Sequence, residues 1–243
     1  MNKKFVSFIT AGDPSLERTK EFIGALAERS DIIEVGLPFS NPLADGEVIG
    51  AANKRALKNG TTTDKVFDML KTVDVSSKLV ILTYLNPVFV YGIDKFFARC
   101  KECNIWGIII PDLSFGSRGE ISGIAEKYGV HLITLISPIS GERTKMLAKD
   151  ATGFIYLVSS MGTTGERSEF TIDLSKIVTQ IREVTDTPIM IGFGISNPEQ
   201  ANEMRNIADG IIVGSAFVKI IAEHGDNAAP HIKKFIKEMT NNV

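Results

Sequence analysis

Short runs of apolar and β-branched residues recur along the chain, and a turn and an amphipathic stretch follow most of them. Eight of these runs have the length of a buried strand, and they occupy residues 5–10, 31–36, 79–84, 106–112, 130–137, 154–159, 188–194 and 209–215. Helical patterns lie between them, including residues 15–29, 93–104, 170–184 and 198–207, the last with Asn197 as N-cap and Pro198 at its first position. This alternation predicts an all-parallel sheet that is buried on both faces.

Eight strand–helix units in 243 residues favour a closed (β/α)8 TIM barrel over an open doubly wound sheet. No linker rich in Pro, Gly or Ser divides the chain, so residues 1–243 are predicted to form a single domain. The first strand begins at about Phe5, which leaves room for little or no N-terminal plug helix.

Composition excludes several classes of protein. The 27 basic and 29 acidic residues nearly balance, which argues against binding to nucleic acid or to an anionic membrane. No apolar run approaches the roughly 18 residues of a membrane-spanning helix, and no signal peptide is expected, so we expect a cytoplasmic protein. Cys100 and Cys103 form one C-x-x-C without a second ligand pair, and we interpret them as two thiols on a helix in a reducing cytosol.

The second predicted strand, IIEVG, carries a carboxylate in an apolar setting. Alternation places Glu34 on the opposite face from Ile33 and Val35, so Glu34 is predicted to point into the barrel near the C-terminal strand ends. Active sites of such barrels lie at those ends, and Asp45 lies on the long loop that follows the same strand. A buried structural ion pair is the competing interpretation for Glu34, but no strand offers a basic residue in its C-terminal half.

Glycine-rich strand ends predict a phosphate site without a P-loop. The seventh and eighth strands end with Gly194 and with Gly214 followed by Ser215, which begins a helix whose N-terminus attracts anions. The loop after the sixth strand adds Gly165 and resembles a lid. Taken alone, each glycine is equally consistent with a tight turn.

The predicted mouth is apolar and aromatic, which suits a flat hydrophobic group joined to a phosphate. The inward positions near the strand ends are Phe8, Leu82, Tyr84, Ile109, Ile136, Tyr156 and Phe193. No Lys lies at a C-terminal strand end, which argues against a Schiff-base aldolase, and the three histidines are too scattered for a catalytic metal. Among the mechanisms considered, acid–base catalysis by carboxylates is the one that remains.

Seven segments, taken together and in order, resemble the tryptophan synthase α subunit. They are FITAGDP, EVGLPFSNPLADG, TYLNPVFVYG, IIPDL, YLVSSMGTTG, GFGISNPEQ and GSAFVKII, and they extend from residue 8 to residue 221. The resemblance implies a lyase that cleaves indole-3-glycerol phosphate to indole and glyceraldehyde 3-phosphate in tryptophan biosynthesis. It also implies no cofactor in this chain and an α2β2 tetramer with a β subunit that carries pyridoxal phosphate and receives the indole through a tunnel.

The resemblance also implies roles for individual residues. It assigns catalysis to Glu34 and Asp45, and supporting roles to Tyr156 and to Thr164 on the loop that closes over the site. It places the indole pocket at Phe8, Leu82, Tyr84, Ile136 and Phe193, and the phosphate at Gly165, Gly194, Gly214 and Ser215. Asp45, on the wetter loop, is expected to stay ionised and to face the indole N–H.

Two alternatives to an active lyase remain. Asn41 stands where the family usually has Asp, so the loop that faces the β subunit lacks a charge. A barrel with weak chemistry that acts mainly as an allosteric partner of the β subunit is therefore one alternative, although Glu34, Asp45 and Thr164 favour the lyase. A phosphosugar isomerase would also use carboxylates, but it does not explain the aromatic pocket.

Overall fold

The computed structural model describes residues 3–159, 174–192 and 194–241. Within these ranges the strands are β1 (Lys4–Thr10), β2 (Ile32–Gly36), β3 (Lys78–Leu82), β4 (Ile105–Ile109), β5 (His131–Leu132), β6 (Thr134–Ile136), β7 (Ile155–Val158), β8 (Ile189–Gly192) and β9 (Gly210–Val213). The helices are α1 (Leu16–Ala27), α2 (Glu47–Lys58), α3 (Thr63–Leu70), α4 (Leu85–Tyr91), α5 (Ile93–Glu102), α6 (Arg118–Tyr128), α7 (Arg143–Lys149), α8 (Leu174–Arg182), α9 (Pro198–Ile207), α10 (Ser215–His224) and α11 (Ala228–Thr240).

The strands form one parallel sheet in the order β5-β4-β3-β2-β1-β9-β8-β7-β6. The predicted fifth strand is therefore two short strands, and the chain changes its pairing partner between them. The Ile133 amide still donates to the Ile108 carbonyl at 2.9 Å, whereas Thr134 pairs with Ile155. Because β5 ends the ladder on one side and β6 ends it on the other, this change of partner brings the sheet close to a closed barrel, as predicted.

Alternation along the strands separates two apolar layers. Ile33 and Val35 pack in the large cluster between the sheet and the helices, whereas Ile32 packs inside the barrel with Val6 and Val80. Continuous burial on both faces explains the uninterrupted apolar runs of the sequence. Glu34, next to Ile33, is consequently on the interior side of β2, as alternation predicts.

Local capping explains where individual helices begin. The Asn197 side chain accepts a hydrogen bond from the Gln200 amide, and Pro198 occupies the first position of α9, so the predicted N-terminus is confirmed. Ser15 caps α1 in the same way through the Arg18 amide. By contrast, α2 begins after Gly46, which offers no side-chain cap.

The structure also bears on the two cysteines, on membrane-spanning helices and on metal-binding groups. Cys100 and Cys103 are free, buried thiols at the end of α5, consistent with their interpretation as helical residues. Within the described ranges, no helix is both long and apolar enough to cross a membrane. The same ranges contain no group of three or more His, Cys, Asp or Glu residues that could hold a metal ion.

A small apolar cluster marks the C-terminal mouth of the barrel. Phe8 from β1, Ala52 from α2 and Val218 from α10 are buried together there, and Leu82 at the end of β3 packs against them. The helices that follow β2 and β9 therefore meet over the end of β1. This contact fixes the position of α2 relative to the strand ends.

The contact between β1 and β9, the first and last strands along the chain, provides a direct test of the barrel packing. A Cβ on Gly210 would lie 2.5 Å from both the Lys4 carbonyl oxygen and the Met190 sulfur. We expect Gly210→Ala to lower the free energy of unfolding by about 1–3 kcal/mol, as overpacking usually does. The same change at Gly24, an exposed helical position with no atom near its Cβ, should be neutral or stabilising by roughly 0.5–1 kcal/mol. Urea unfolding of both variants measures this, and equal stability of the two would contradict a tight seam.

Candidate active site

Glu34 lies on β2 between two apolar strands. Its register partners are Phe8 on β1 and Val80 on β3, so neither neighbouring strand provides a charge beside it. The side chain is 1% exposed, and none of the described residues donates a hydrogen bond to its Oε1 atom. The structure therefore gives no support to a structural ion pair.

Burial determines the protonation state of Glu34. Desolvation raises the pKa of Glu34 to about 8, because the apolar surroundings disfavour the charged form. The carboxyl group is consequently mostly neutral at pH 7. A neutral carboxyl can donate a proton, and its pKa is close to the working pH at which acid–base catalysis is most efficient.

Tyr156 on β7 lies across the interior from β2. It packs inside the barrel, and its pKa is raised well above the usual value by burial and by the charges of Glu34 and Asp45. Gly192 makes room for it, because a Cβ there would lie 2.6 Å from the Tyr156 hydroxyl oxygen. Tyr156 thus remains a neutral hydroxyl whose pKa is influenced by both carboxyl groups.

Asp45 lies just before the N-cap of α2 and is held from two sides. The Asn53 Nδ2 atom donates to the Asp45 Oδ2 atom at 2.9 Å, and the Tyr84 hydroxyl accepts from the neighbouring Ala44 amide at 3.0 Å. Burial raises the pKa of Asp45, and hydrogen bonding to Asn53 and Tyr84 acts in the opposite direction. Asp45 is partly exposed, unlike Glu34. It is nevertheless less accessible to solvent than the sequence analysis predicted for a residue on this loop.

The predicted aromatic pocket is only partly assembled from the residues chosen. Phe8 and Leu82 lie at the mouth, and Gly36 leaves space for the Phe8 ring, whose nearest atom would be 2.8 Å from a Cβ there. Tyr84 is buried, and its ring packs against that of Phe39 at a centroid distance of 5.3 Å and an interplanar angle of 30°, so it supports the Asp45 loop.

The structure does not bring Ile136 together with the other predicted pocket residues. Ile136 is fully buried in the outer cluster with Leu157, Ile181 and other residues that face the helices. The interior position of this strand is Leu135, which packs with the cluster of Tyr156. The difference is one residue in the phase of the alternation, and a one-residue slip exchanges the two faces of a strand. Phe193 lies outside the described residues.

The predicted phosphate site lies where β8 and β9 end. Gly194 has a φ of +82°, and no atom lies within 4 Å of the place that a Cβ would occupy, so its backbone is open to a ligand. Gly214 is the N-cap of α10 and Ser215 is its first residue, so the unpaired amides of the first turn point outward from this end. Gly165 and Thr164 lie outside the described residues.

Sequence reasoning missed two residues that shape the site. Asn53 lies about two helical turns from Asp45 and donates a hydrogen bond to it. Its position on the face of α2 that packs inward could have identified it as a buried polar residue. Gly192 precedes Gly194 in the G-x-G segment, and it accommodates Tyr156 rather than the phosphate. Its signal was an inward position on β8, which alternation along that strand provides.

Comparisons with known proteins agree on one family. Residues 1–242 match the family described as "Tryptophan synthase alpha chain". A curated relative of that name from Lacticaseibacillus casei is 49% identical over 241 residues, which cover 98% of this chain and 91% of the relative. The solved tryptophan synthase subunit alpha from Campylobacter jejuni is 38% identical with a TM-score of 0.88, and covers 98% of this chain and 96% of its own. A structure of the Pyrococcus furiosus tryptophan synthase α2β2 complex is similar at 36% identity with a TM-score of 0.90, and covers 99% and 100% of the two chains.

The buried carboxyl group predicts how stability depends on pH. Between about pH 4.5 and 8 the folded protein keeps the Glu34 proton that the unfolded chain releases, so this group lowers the stability of the parent as the pH rises. The Glu34→Gln variant carries no such proton. The difference in free energy of unfolding between this variant and the parent should therefore increase from pH 4.5 upward, by on the order of 3 kcal/mol at pH 7.

Urea unfolding of both proteins from pH 4 to 9 measures the difference. Glu203→Gln, which alters an exposed carboxylate on α9, is the control and should follow the parent. A Glu34→Gln difference that does not change with pH would mean that Glu34 is not buried in its neutral form.

Proposed function

The chain belongs to the tryptophan synthase alpha chain family, and we propose that Glu34 and Asp45 perform its chemistry. The protein is a lyase of tryptophan biosynthesis that cleaves indole-3-glycerol phosphate to indole and glyceraldehyde 3-phosphate. It works with the β subunit, which holds the pyridoxal phosphate, and carries no cofactor itself. The observation that supports the catalytic assignment is the buried, mostly neutral Glu34 carboxyl group, whose Oε1 atom accepts no hydrogen bond from the residues that the structure describes.

The reaction requires the indole C3 atom to become a leaving group. The neutral Glu34 carboxyl donates its proton to C3, and the positive charge that results spreads to the indole nitrogen. The Glu34 carboxylate then accepts the proton of the glycerol hydroxyl next to the scissile bond. As that hydroxyl becomes an aldehyde, the C–C bond breaks, its electron pair returns to the ring, and Glu34 ends the cycle protonated.

Asp45 and Tyr156 have supporting electrostatic roles. The ionised Asp45 carboxylate faces the indole N–H and stabilises the positive ring. Tyr156 keeps its proton because its pKa is raised, so its hydroxyl stays neutral near the Glu34 carboxyl and does not compete with it as an acid. The two carboxylates thus divide the work through their environments, one neutral in an apolar wall and one ionised on a loop.

Substrate binding is assigned to two regions around the carboxylates. Backbone amides at Gly194, Gly214 and Ser215 hold the phosphate at the end of β8 and the start of α10. Phe8 and Leu82 contact the indole ring, and Leu135 replaces Ile136 on the interior side of its strand. For Gly165, Thr164 and Phe193 the proposal rests on the family resemblance alone.

Other assignments are also proposals. The even charge balance and the biosynthetic role support a cytoplasmic location, and the single family match over 1–242 supports one domain over 1–243. The alternative, an α subunit that mainly regulates its partner, would also fit the family. The buried Glu34, to whose Oε1 atom none of the described residues donates, favours the lyase, because a barrel without chemistry gains nothing from burying a carboxyl group.

Exposed apolar side chains mark the surface that we assign to the β subunit. Leu43 follows β2, Phe89 and Val90 lie on α4 after β3, and Phe115 follows β4, so all four lie on consecutive loops at the catalytic end. Leu43 and Val90 are each 79% exposed. Exposed apolar side chains after neighbouring strands are typical of a protein–protein interface, and these lie at the end of the barrel from which indole must leave. Asn41 lies on the same loop as Leu43.

Substitution of the carboxylates tests the chemistry. Glu34→Gln cannot exchange a proton, so turnover of indole-3-glycerol phosphate should fall by roughly 10²-fold or more. Asp45→Asn should also lose turnover, because the positive ring loses its counter-charge. Turnover is measured on the isolated chain and with a β subunit, because an allosteric partner without chemistry would show no cleavage in either case.

The binding of inorganic phosphate separates chemistry from substrate binding. Both carboxylate variants should bind phosphate like the parent, whereas Gly214→Val should bind it several-fold more weakly, since a side chain there blocks backbone approach and crowds Phe8. A folded Glu34→Gln that cleaves substrate at the parent rate would overturn the mechanism. Unchanged phosphate binding by Gly214→Val would overturn the phosphate assignment.

A charge among the exposed apolar side chains tests the partner surface. Val90→Asp should weaken binding to a β subunit by about tenfold or more, since a charge would be buried at the interface, and should leave cleavage by the isolated chain unchanged. Val184→Asp makes the same change at an exposed position near the opposite end of the barrel, before β8. Calorimetric titration of both variants checks this, and equal affinities would place the interface elsewhere.

A further inference from the structure

Asn53 is a buried polar residue whose hydrogen bond reaches a catalytic group. Its side chain is 4% exposed, and its Nδ2 atom donates to the Asp45 Oδ2 atom at 2.9 Å. Asn53 is in the second turn of α2, and Asp45 precedes the N-cap of that helix. Side chains on a helix lean toward its N-terminus, so Asn53 is directed back at the loop.

The helix that carries Asn53 is anchored at a second point. Two residues further along, Arg55 donates from Nε and from one terminal nitrogen to the two carboxylate oxygens of Asp13, at 2.8 and 2.7 Å. Asp13 is almost fully buried in the loop after β1, the strand that also carries Phe8. A bidentate pair of this kind fixes orientation as well as distance. The loop after β1 therefore determines where α2, and with it Asn53, lies.

We propose that Asn53 is the positioning residue of Asp45, and that the Asp13–Arg55 pair holds α2 so that Asn53 can act. Asn53 turns the Asp45 carboxylate to present its charge to the substrate, and its N–H donor favours the ionised form. This inference rests on the catalytic role proposed for Asp45. Asn53 does not touch the substrate in this arrangement and acts through Asp45.

The charges around Asp45 make the contribution of Asn53 measurable. Burial raises the pKa of Asp45, and the Asn53 hydrogen bond lowers it, so removal of that bond must raise it. Among the described residues, the other titratable groups that interact with Asp45 are Tyr84 at the start of α4 and Tyr156 on β7. Both have raised pKa values and stay neutral at pH 5–9. The Asp45 carboxylate therefore sets the acidic limb of the activity profile, and Glu34, with a pKa of about 8, sets the alkaline limb.

The experiment compares kcat, KM and the pH profile of the full-length parent with those of three variants of Asn53. Asn53→Ala should lower kcat at pH 7 by roughly tenfold, the minimum expected for a lost hydrogen bond to a charged group, with KM little changed. Its acidic limb should move to higher pH while the alkaline limb stays in place. Asn53→Asp places a like charge beside Asp45 and should shift that limb further, whereas Asn53→Gln retains the donor and should restore part of the activity.

Asn59→Ala is the matched control. Asn59 is the C-cap of α2, at the far end of the helix from Asp45, and it donates to the Pro14 carbonyl at 2.7 Å. Its loss should leave kcat and both limbs as in the parent. Arg55→Lys keeps the positive charge without the bidentate geometry, and should lower kcat and move the acidic limb in the same direction as Asn53→Ala, by a smaller amount.

The outcomes distinguish this inference from the proposed function. If Asp45→Asn loses activity and Asn53→Ala keeps the parent kcat and acidic limb, the positioning role is wrong and the catalytic role of Asp45 stands. A drop in kcat without a shift of the limb, or an equal drop in Asn59→Ala, would reduce Asn53 to a structural residue of α2. If Asp45→Asn itself retains full activity, the catalytic role proposed for Asp45 is wrong, and the positioning role of Asn53 is wrong with it. Thermal unfolding of every variant identifies any that do not fold.

Discussion

The Glu34 carboxyl group, held among apolar strand residues with no hydrogen bond to its Oε1 atom from the described part of the chain, is the constraint on which the proposed site depends. An ionised glutamate at this depth would be costly, so the barrel keeps Glu34 protonated and tolerates the loss of stability that follows. That arrangement requires apolar neighbours on both adjacent strands, and Phe8 and Val80 provide them. It also requires a small residue opposite, since Gly192 is what admits the Tyr156 ring. The packing of the interior is therefore part of the chemistry.

The second carboxylate is controlled by different means. Asp45 is partly exposed, on a loop, and its orientation comes from hydrogen bonds and from the helix that follows it. The positive end of α2 and the Asn53 donor both favour its ionised form, against the effect of burial. Desolvation thus acts on both groups, and donors oppose it at Asp45 alone. This contrast is what distinguishes the environments of the two carboxyl groups.

Much of this arrangement could be predicted from the sequence because it follows from periodicity. Apolar runs identified the strands, and alternation placed Glu34 inside, since Ile33 and Val35 on either side require the helix layer. Asn53 could not be predicted in the same way, because its contact depends on how α2 packs across the strand ends. The phase of the fifth strand was missed for a related reason: its change of pairing partner at Ile133 leaves no sequence signal, so Ile136 was predicted on the interior face rather than the outer one.

The closing pair of strands has a consequence for how the protein responds to its substrate. β1 and β9 are neighbours in the sheet although they lie at opposite ends of the sequence. The indole is assigned to a set of groups that includes Phe8 on β1, and the phosphate to a set that includes Gly214 and Ser215 at the start of α10, so one small molecule spans elements from the start and the end of the polypeptide. The bound substrate acts as a noncovalent cross-link between those ends. Its binding energy stabilises only conformations in which both ends are folded. Substrate thereby strengthens the cooperativity of folding across the whole barrel, beyond the loops it touches.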